Sequence, residues 1–423
     1  MNGLLAMEDR NRLSPALVVP NAPATTLRVK VLAYRVWGSI RAFTASILRS
    51  LPFLRNALRL PAGRIHSLQE WVAKAQQDVL LNEGRSAPSY HVVQPPLQAC
   101  EAQKPHNVAQ VADQICAKDD YVHRELFLAS IPQGRLLGPG GVMITPDNRI
   151  VEESAWAGDG WLEKDRAVVS LSLPRTERLA GQYFTIATFD SEGYAHWVLD
   201  ALPRLSLLAY LPDTNLKIIV SKPLKSWQKE SLSVLSIDLN NVITLNDRYL
   251  ELDVLHLPSY IGQPGTSHPF ACSWLRKSFV AGTQGHGPRR RLYITRRLAR
   301  RHVTNESELE PILKRYGFEV VEAEKLSFAE QVRLFGQAEA IVGAHGAGLT
   351  NIVFAPATCM VFELFAETCV RAMYYQLAGV IGQSYWYLKG TALPNRQHND
   401  RGFDDMRISP EQFEQTLSRM FES

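Results

Sequence analysis

The first long apolar stripe in the chain passes through Leu32, Val36, Ile40, Phe43, Ile47, Leu51, Leu54 and Leu58. Spacings of three and four residues mark one face of a helix, so a helical arm is predicted, divided at Pro52, which breaks or kinks a helix. Residues 68–81 repeat the helical period, and a loop-rich stretch with Pro95-Pro96 leads to about residue 130. Short apolar runs at 142–144, 167–171 and 183–187 then read as strands. Beyond them, helical stretches at 196–211 and 226–235 alternate with apolar runs at 217–220, 242–245 and 252–257. Turn-rich segments at 261–265 and 281–288 flank a short helix at 274–279, and the alternation restarts. Strands are predicted at 292–295, 319–321, 340–342 and 360–364, with helices at 305–316, at 327–336 and from 348. Ser327 and Glu330 form a capping box, and Ser409-Pro410 opens a terminal helix. Such alternation builds βαβ units around parallel sheets, and two doubly wound halves place a cleft between them.

Size and charge refine this outline. A chain of 423 residues exceeds one hydrophobic core. The divisions expected are a basic arm at 1–67, a first α/β domain at 68–280 with an irregular, β-rich lead-in, a second at 281–400, and a C-terminal helix at 401–423 that packs back on the first. The net charge of +4 is uneven: from Arg10 to Ser67 there are ten Lys or Arg and no Asp or Glu, leaving 36 basic against 42 acidic residues elsewhere. A basic amphipathic helix either lies on an anionic membrane surface or packs its stripe on the protein's own body. An acid-free, Arg-rich start is also the pattern of an organelle transit peptide, against which Glu8 and Asp9 stand. No nucleic-acid module follows, so nucleic acid is not an expected partner. No apolar run reaches the roughly 18 residues of a membrane span, and no signal segment is evident. The five cysteines, Cys100, Cys116, Cys272, Cys359 and Cys369, are scattered without a C-x-x-C pair. These features lead to the expectation of a cytoplasmic, reducing location, with peripheral membrane contact through residues 10–67.

Chemistry concentrates where strands give way to helices. The run from Ile341 to Asn351 ends an apolar stretch in Gly343, Gly346 and Gly348, with His345 among them. Glycine permits positive φ and close approach of a ligand, and a following helix offers unpaired N–H groups to a phosphate. A bare β-to-α turn is the alternative. His196 and Asp200, four apart on a helix, either remove a proton from an acceptor hydroxyl or hydrogen-bond one another for structure. Arg296 and Arg297 follow Thr295 at a strand exit, where guanidinium forks suit a diphosphate; Arg300 and Arg301 read as a solvated basic loop. Glu363, taken as lying at the end of the next strand, either accepts hydrogen bonds from a ribose or faces water. No Asp-x-Asp pair or other ligand set suits a divalent metal. The glycine loop carries no G-K-[ST] and is not G-x-G-x-x-G, which removes P-loop NTPases and counts against a dehydrogenase.

The clusters Tyr194-x-His196-Trp197-x-x-Asp200-x-Leu202-Pro203-Arg204-Leu205, Leu292-Tyr293-Ile294-Thr295-Arg296-Arg297, Gly317-Phe318-Glu319-Val320-Val321, Leu326-Ser327-Phe328-x-Glu330-Gln331-Val332 and Gly343 to Asn351 come in an order that resembles glycosyltransferase family 61, often labelled capsular polysaccharide biosynthesis proteins. The arm and everything before about 135 fall outside the resemblance. It implies an α/β, GT-B-like fold: two Rossmann-like doubly wound domains facing a cleft, the second holding a nucleotide sugar, with a UDP-sugar the expected donor, and the first the acceptor. It also implies inverting, metal-independent transfer to a polysaccharide, glycolipid or other glycan acceptor. By that resemblance Asp200 with His196 becomes the base. Arg296, Arg297, Thr295 and the backbone of Gly346, Ala347, Gly348 and Leu349, with His345 beside them, become the diphosphate site, and Glu363 the ribose contact. No cofactor or metal is expected beyond the donor. Relatives commonly carry Ser where Thr295 stands, which keeps the hydroxyl. A catalytically silent sugar-nucleotide-binding or scaffold protein of a polysaccharide assembly is the alternative.

Overall fold

A computed structural model describes residues 43–81, 86–98, 122–155, 162–212, 215–262, 265–280, 289–297, 299–394 and 401–422. The chain is a mixed α/β structure with two large sheets. Four parallel strands form the heart of the first: Val242–Thr244, Lys217–Val220, Thr176–Thr185 and Tyr249–Pro258 lie side by side in that order. In chain order this is 3-2-1-4, so the topology reverses between Thr176–Thr185 and Tyr249–Pro258. Leu126–Pro132 and Arg135–Leu137 pair antiparallel with Tyr249–Pro258 and extend this sheet through the β-rich lead-in.

The second sheet runs Phe318–Val321, Arg290–Ile294, Ala338–Ala344, Met360–Ala366, Ser384–Leu393, Asp405–Arg407. Its first five strands are parallel in the doubly wound order 2-1-3-4-5. Alternate residues of each strand feed opposite faces, as the two-residue period of a strand requires. Leu292, Ile294 and Ile341 enter one apolar cluster, while Tyr293, Ala340 and Val342 enter another. Both faces are therefore covered, the condition under which parallel sheets are stable.

The halves meet through helices. One continuous apolar cluster takes Phe184, Trp197 and Leu202 from the first sheet's side and Leu292, Phe328 and Phe354 from the second's. Polar bonds cross the same boundary. Glu230 accepts from the first two amides of the helix Phe328–Gly336, at 2.7 Å from Phe328 N and 3.1 Å from Ala329 N. Arg276 donates to the carbonyls of Val353 and Ala355 at 2.9 and 2.5 Å. Such side-chain acceptors satisfy helix-end groups that would otherwise be orphaned.

Three expectations change. Residues 167–171 are not a strand: Arg166–Val169 is a helical turn, because Asp165 accepts from Ala167 N at 2.8 Å and so caps it. The helix at 196–211 is not a regular α-helix. A single turn at Tyr194–His196 widens into a π turn at Trp197–Ala201 and then tightens into the 3₁₀ stretch Leu202–Tyr210. Pro203 is the cause, since it has no N–H and its ring clashes with the carbonyl four residues back. The terminal helix, Pro410–Glu422, does not return to the first half. It packs Phe413, Leu417 and Met420 against Leu309, Ile312 and Phe362 of the second sheet's outer layer. The capping box at Ser327 forms as expected, with Glu330 N donating to Ser327 Oγ at 3.2 Å and Ser327 N to Glu330 Oε2 at 2.8 Å. The stripe positions Leu32, Val36 and Ile40, the turn at 281–288, and Cys100 and Cys116 lie outside the described residues.

Candidate active site

In the second sheet the topology reverses between Arg290–Ile294 and Ala338–Ala344. Arg296 leaves the first of these strands and the glycine loop leaves the second, so both sit at the crevice where ligands bind such sheets. The loop's glycines are there for close approach and not for a turn. None of Gly343, Gly346 and Gly348 has a φ that only glycine favours. A Cβ on Gly346 would lie 1.9 Å from Arg296 Nη1, and one on Gly348 would lie 2.9 Å from Ile294 Cγ2. The Arg296 guanidinium therefore lies close against the loop at Gly346. Among the described residues its acceptor is the Arg300 carbonyl, 2.9 Å from Nε. No carboxylate among the described residues forms an ion pair with its fork. Burial, reinforced by Arg301, pushes its pKa down to about 10. Arg301 is lowered as well, by burial and then by Arg371 and Arg300, although Cys369 and Tyr374 act the other way. Beyond burial, Arg301 and Arg300 thus lower the pKa of Arg296 near the loop, and the charge of Glu324 opposes them there. The next helical segment, Ala347–Phe354, begins at the same point.

Below the loop is a buried chain of acceptors. His345 Nδ1 lies 2.6 Å from Glu363 Oε1, and the Tyr385 hydroxyl donates to Glu363 Oε2 at 2.5 Å. His345 also stacks on Phe365, with ring centroids 5.4 Å apart. Burial holds its pKa below the ordinary value; the Glu363 charge opposes this, and Arg301 and Arg371 add to it. The imidazole is accordingly neutral, and a carboxylate facing Nδ1 places its proton there. Tyr374 fixes the loop from another side, donating to the Gly346 carbonyl at 2.8 Å.

Across the boundary His196 Nδ1 meets Asp200 Oδ2 at 2.7 Å, with side-chain exposures of 33% and 14%. Burial lowers the His196 pKa, but the bond to Asp200, its charge and that of Asp190 outweigh this and leave it raised. Trp197, next in the chain, is buried and donates to Ser231 Oγ at 2.9 Å, which fixes the turn. Two residues before His196, the Tyr194 hydroxyl donates to Asn351 Oδ1 at 2.6 Å, and Asn351 donates to Gln331 and to the Gly348 carbonyl. The His196 turn is thereby tied to the glycine-loop segment. Beneath it Arg204, fully buried, bridges the carbonyls of Ala187 and Pro258, both at 2.8 Å, across the first sheet's own reversal point.

The structure thus brings Arg296, His345, Gly346, Ala347, Gly348 and Leu349 together and links them to His196 and Asp200. Other candidates fall elsewhere. Arg297 points the opposite way from Arg296 and pairs with Glu306 and, at 2.5 Å, with Glu310. Glu363 is fully buried in the middle of the strand Met360–Ala366 and is not open to a ribose: its oxygens serve His345 and Tyr385. Thr295 is 2% exposed, and its hydroxyl finds no partner among the described residues. Arg301 was passed over as solvated and belongs beside Arg296. The two-residue period of a strand exit would have separated Arg296 from Arg297. Among the described residues no three His, Cys, Asp or Glu side chains converge as metal ligands.

Comparison with known proteins bears on the same stretch. The family model for Glycosyltransferase 61 matches residues 194–362, from Tyr194 of the His196 turn to the strand after the glycine loop. This region is similar to glycosyltransferase 61. Two curated proteins, both called EGF domain-specific O-linked N-acetylglucosamine transferase, are similar to parts of this chain. The one from Drosophila melanogaster is 37% identical over 76 residues, covering 17% of this chain and 15% of that protein. The one from Gallus gallus is 33% identical over 104 residues, covering 23% and 19%. The chain therefore spans less than a fifth of either relative.

Proposed function

We propose that the protein is a glycosyltransferase that binds a nucleotide-sugar donor at the glycine loop and passes the sugar to a hydroxyl of a glycan or lipid-linked acceptor. The observation that carries this reading is the Arg296 guanidinium: partly buried, in no ion pair among the described residues, close against Gly346 at a topological reversal point and beside Arg301. A group desolvated with like charges around it gains most from an anion, and a diphosphate presents oxygens in the geometry a guanidinium fork matches. A UDP-sugar is the proposed donor, and the names of the relatives make N-acetylglucosamine the first sugar to test.

In the proposed reaction Asp200 takes the acceptor proton while His196 donates to its Oδ2 and orients it. The acceptor oxygen bonds to the anomeric carbon from the face opposite the diphosphate, the bond from that carbon to the diphosphate oxygen breaks, and the leaving group keeps the electron pair. Arg296 and Arg301, with the first amides of Ala347–Phe354, neutralise the charge that develops there, which is the work a metal does in other transferases. His345, neutral and held by Glu363, braces the loop between the two.

Thermal shift with UDP, GDP and their sugar conjugates tests the donor site. Ligand at a hundred times its dissociation constant stabilises a fold by about 2.7 kcal/mol. UDP or a UDP-sugar is expected to raise the melting temperature of the wild type and of Arg297→Ala, and to lose that effect in Arg296→Ala. Equal binding by Arg296→Ala, or no shift with any nucleotide, overturns the reading.

A further inference from the structure

Of the eleven large apolar side chains that stand exposed among the described residues, four lie between Phe43 and Phe53. Phe43 is 68% exposed, Ile47 47%, Leu51 47% and Phe53 82%. They belong to two short helical segments, at 43–50 and at Pro52–Ala57, that meet at Leu51. The body holds these segments by their other side. Ala45 is fully buried, Leu48 and Leu58 pack on the apolar cluster around Leu60, Val142 and Val168, and Arg49 donates to the carbonyls of Ala167 and Val168 at 2.9 and 2.5 Å. The stripe read from the sequence is therefore divided: its inward residues anchor the segment, and Phe43, Ile47 and Leu51 face out, joined by Phe53.

From this we infer that residues 43–53 form a docking foot for an anionic membrane surface. Composition selects that occupant. The exposed apolar side chains lie inside a long stretch of chain, from Arg10 to Ser67, that has ten Lys or Arg and no acidic residue. A second copy paired through this same face would set one basic segment against another. An anionic bilayer opposes a cationic segment with negative headgroups alone and takes Phe, Ile and Leu into the acyl boundary, the two attractions that hold amphipathic helices at an interface. The foot grips the first sheet's lead-in and not the donor loop, so the inference is independent of the transfer reaction.

Flotation of the full-length protein with phosphatidylcholine vesicles, with and without about a third phosphatidylglycerol, tests it. The protein is expected to float with the anionic vesicles and much less with the neutral ones, and added salt should weaken the binding. Phe43→Ser/Ile47→Ser/Phe53→Ser should lower the partition coefficient at least tenfold with an unchanged melting temperature, since all three side chains point outward. A wild type that stays soluble with anionic vesicles, or a triple variant that floats equally well, overturns the inference. So does light scattering that shows a wild-type dimer converted to monomer by the triple substitution, which would give the face to a second copy.

Discussion

Two histidine–carboxylate pairs stand on either side of the boundary between the sheets, with nearly the same separation and opposite behaviour. His196 and Asp200 lie 2.7 Å apart and His345 and Glu363 2.6 Å apart. The first pair is partly open, at 33% and 14% exposure, and the second is closed, at 6% and 0%. Burial opposes the charged imidazole in both, yet His196 is raised and His345 lowered. At His345 burial is the largest cause and Arg301 and Arg371 add to it, while at His196 the bond and charge of Asp200, and then Asp190, outweigh burial. A pairing distance therefore says little about what a pair does. The open pair has the access that proton transfer with a substrate requires, and the closed pair is a brace.

Substitutions separate the roles. Asp200→Asn is expected to lower transfer about a hundred- to ten-thousand-fold, the usual worth of a general base, while donor binding by thermal shift is retained. Transfer at the wild-type rate would remove Asp200 from that role. Glu363→Ala should instead act on the fold, at a cost of about 3–5 kcal/mol in urea denaturation, because it strands buried groups. Asp200→Ala should cost about 1 kcal/mol, as more open pairs do. Equal destabilisation by the two would erase the comparison.

The pH dependence should run in opposite directions. A raised folded-state pKa gives His196 a stabilising contribution that is complete below its ordinary value of 6.5 and is lost as pH rises through the folded value. His345 is lowered, so the unfolded chain takes up its proton first and stability falls as pH drops below 6.5. Denaturation of His196→Gln and His345→Gln from pH 5 to 8 should show the first variant converging on wild type at high pH and the second gaining on it at low pH. The smallest effect on stability is expected from Gly346→Ala. The added Cβ meets only the end of the Arg296 side chain, which can swing away, so the cost should stay below about 1 kcal/mol. The displaced fork should nevertheless weaken nucleotide binding tenfold or more.

Much of this was legible in the sequence where a local pattern has a local cause. The short apolar runs of the second sheet and the capping box of Ser327 and Glu330 need no distant partner to be read. Asp200 and His196 were found by the four-residue spacing, which also left open whether they bond one another; they do. What escaped depends on contacts far along the chain. Glu363 reads as a strand-end acid until Leu364, Phe365 and Ala366 are seen to continue the strand and Tyr385 to arrive from another one. Arg301 reads as solvated until the fold sets it beside Arg371 and Arg296. The β-branched run at 167–171 was outvoted by one capping carboxylate, Asp165.

The Glu230 carboxylate, which caps two amides of the helix Phe328–Gly336, has a consequence for how the molecule melts. Its carboxylate comes from one half and its amides from the other, and it lies beside a shared apolar cluster. Neither half can lose its structure without exposing the other's helix end and part of its core. Calorimetry should accordingly record one transition whose van't Hoff and calorimetric enthalpies agree, and Glu230→Ala should begin to split it into two.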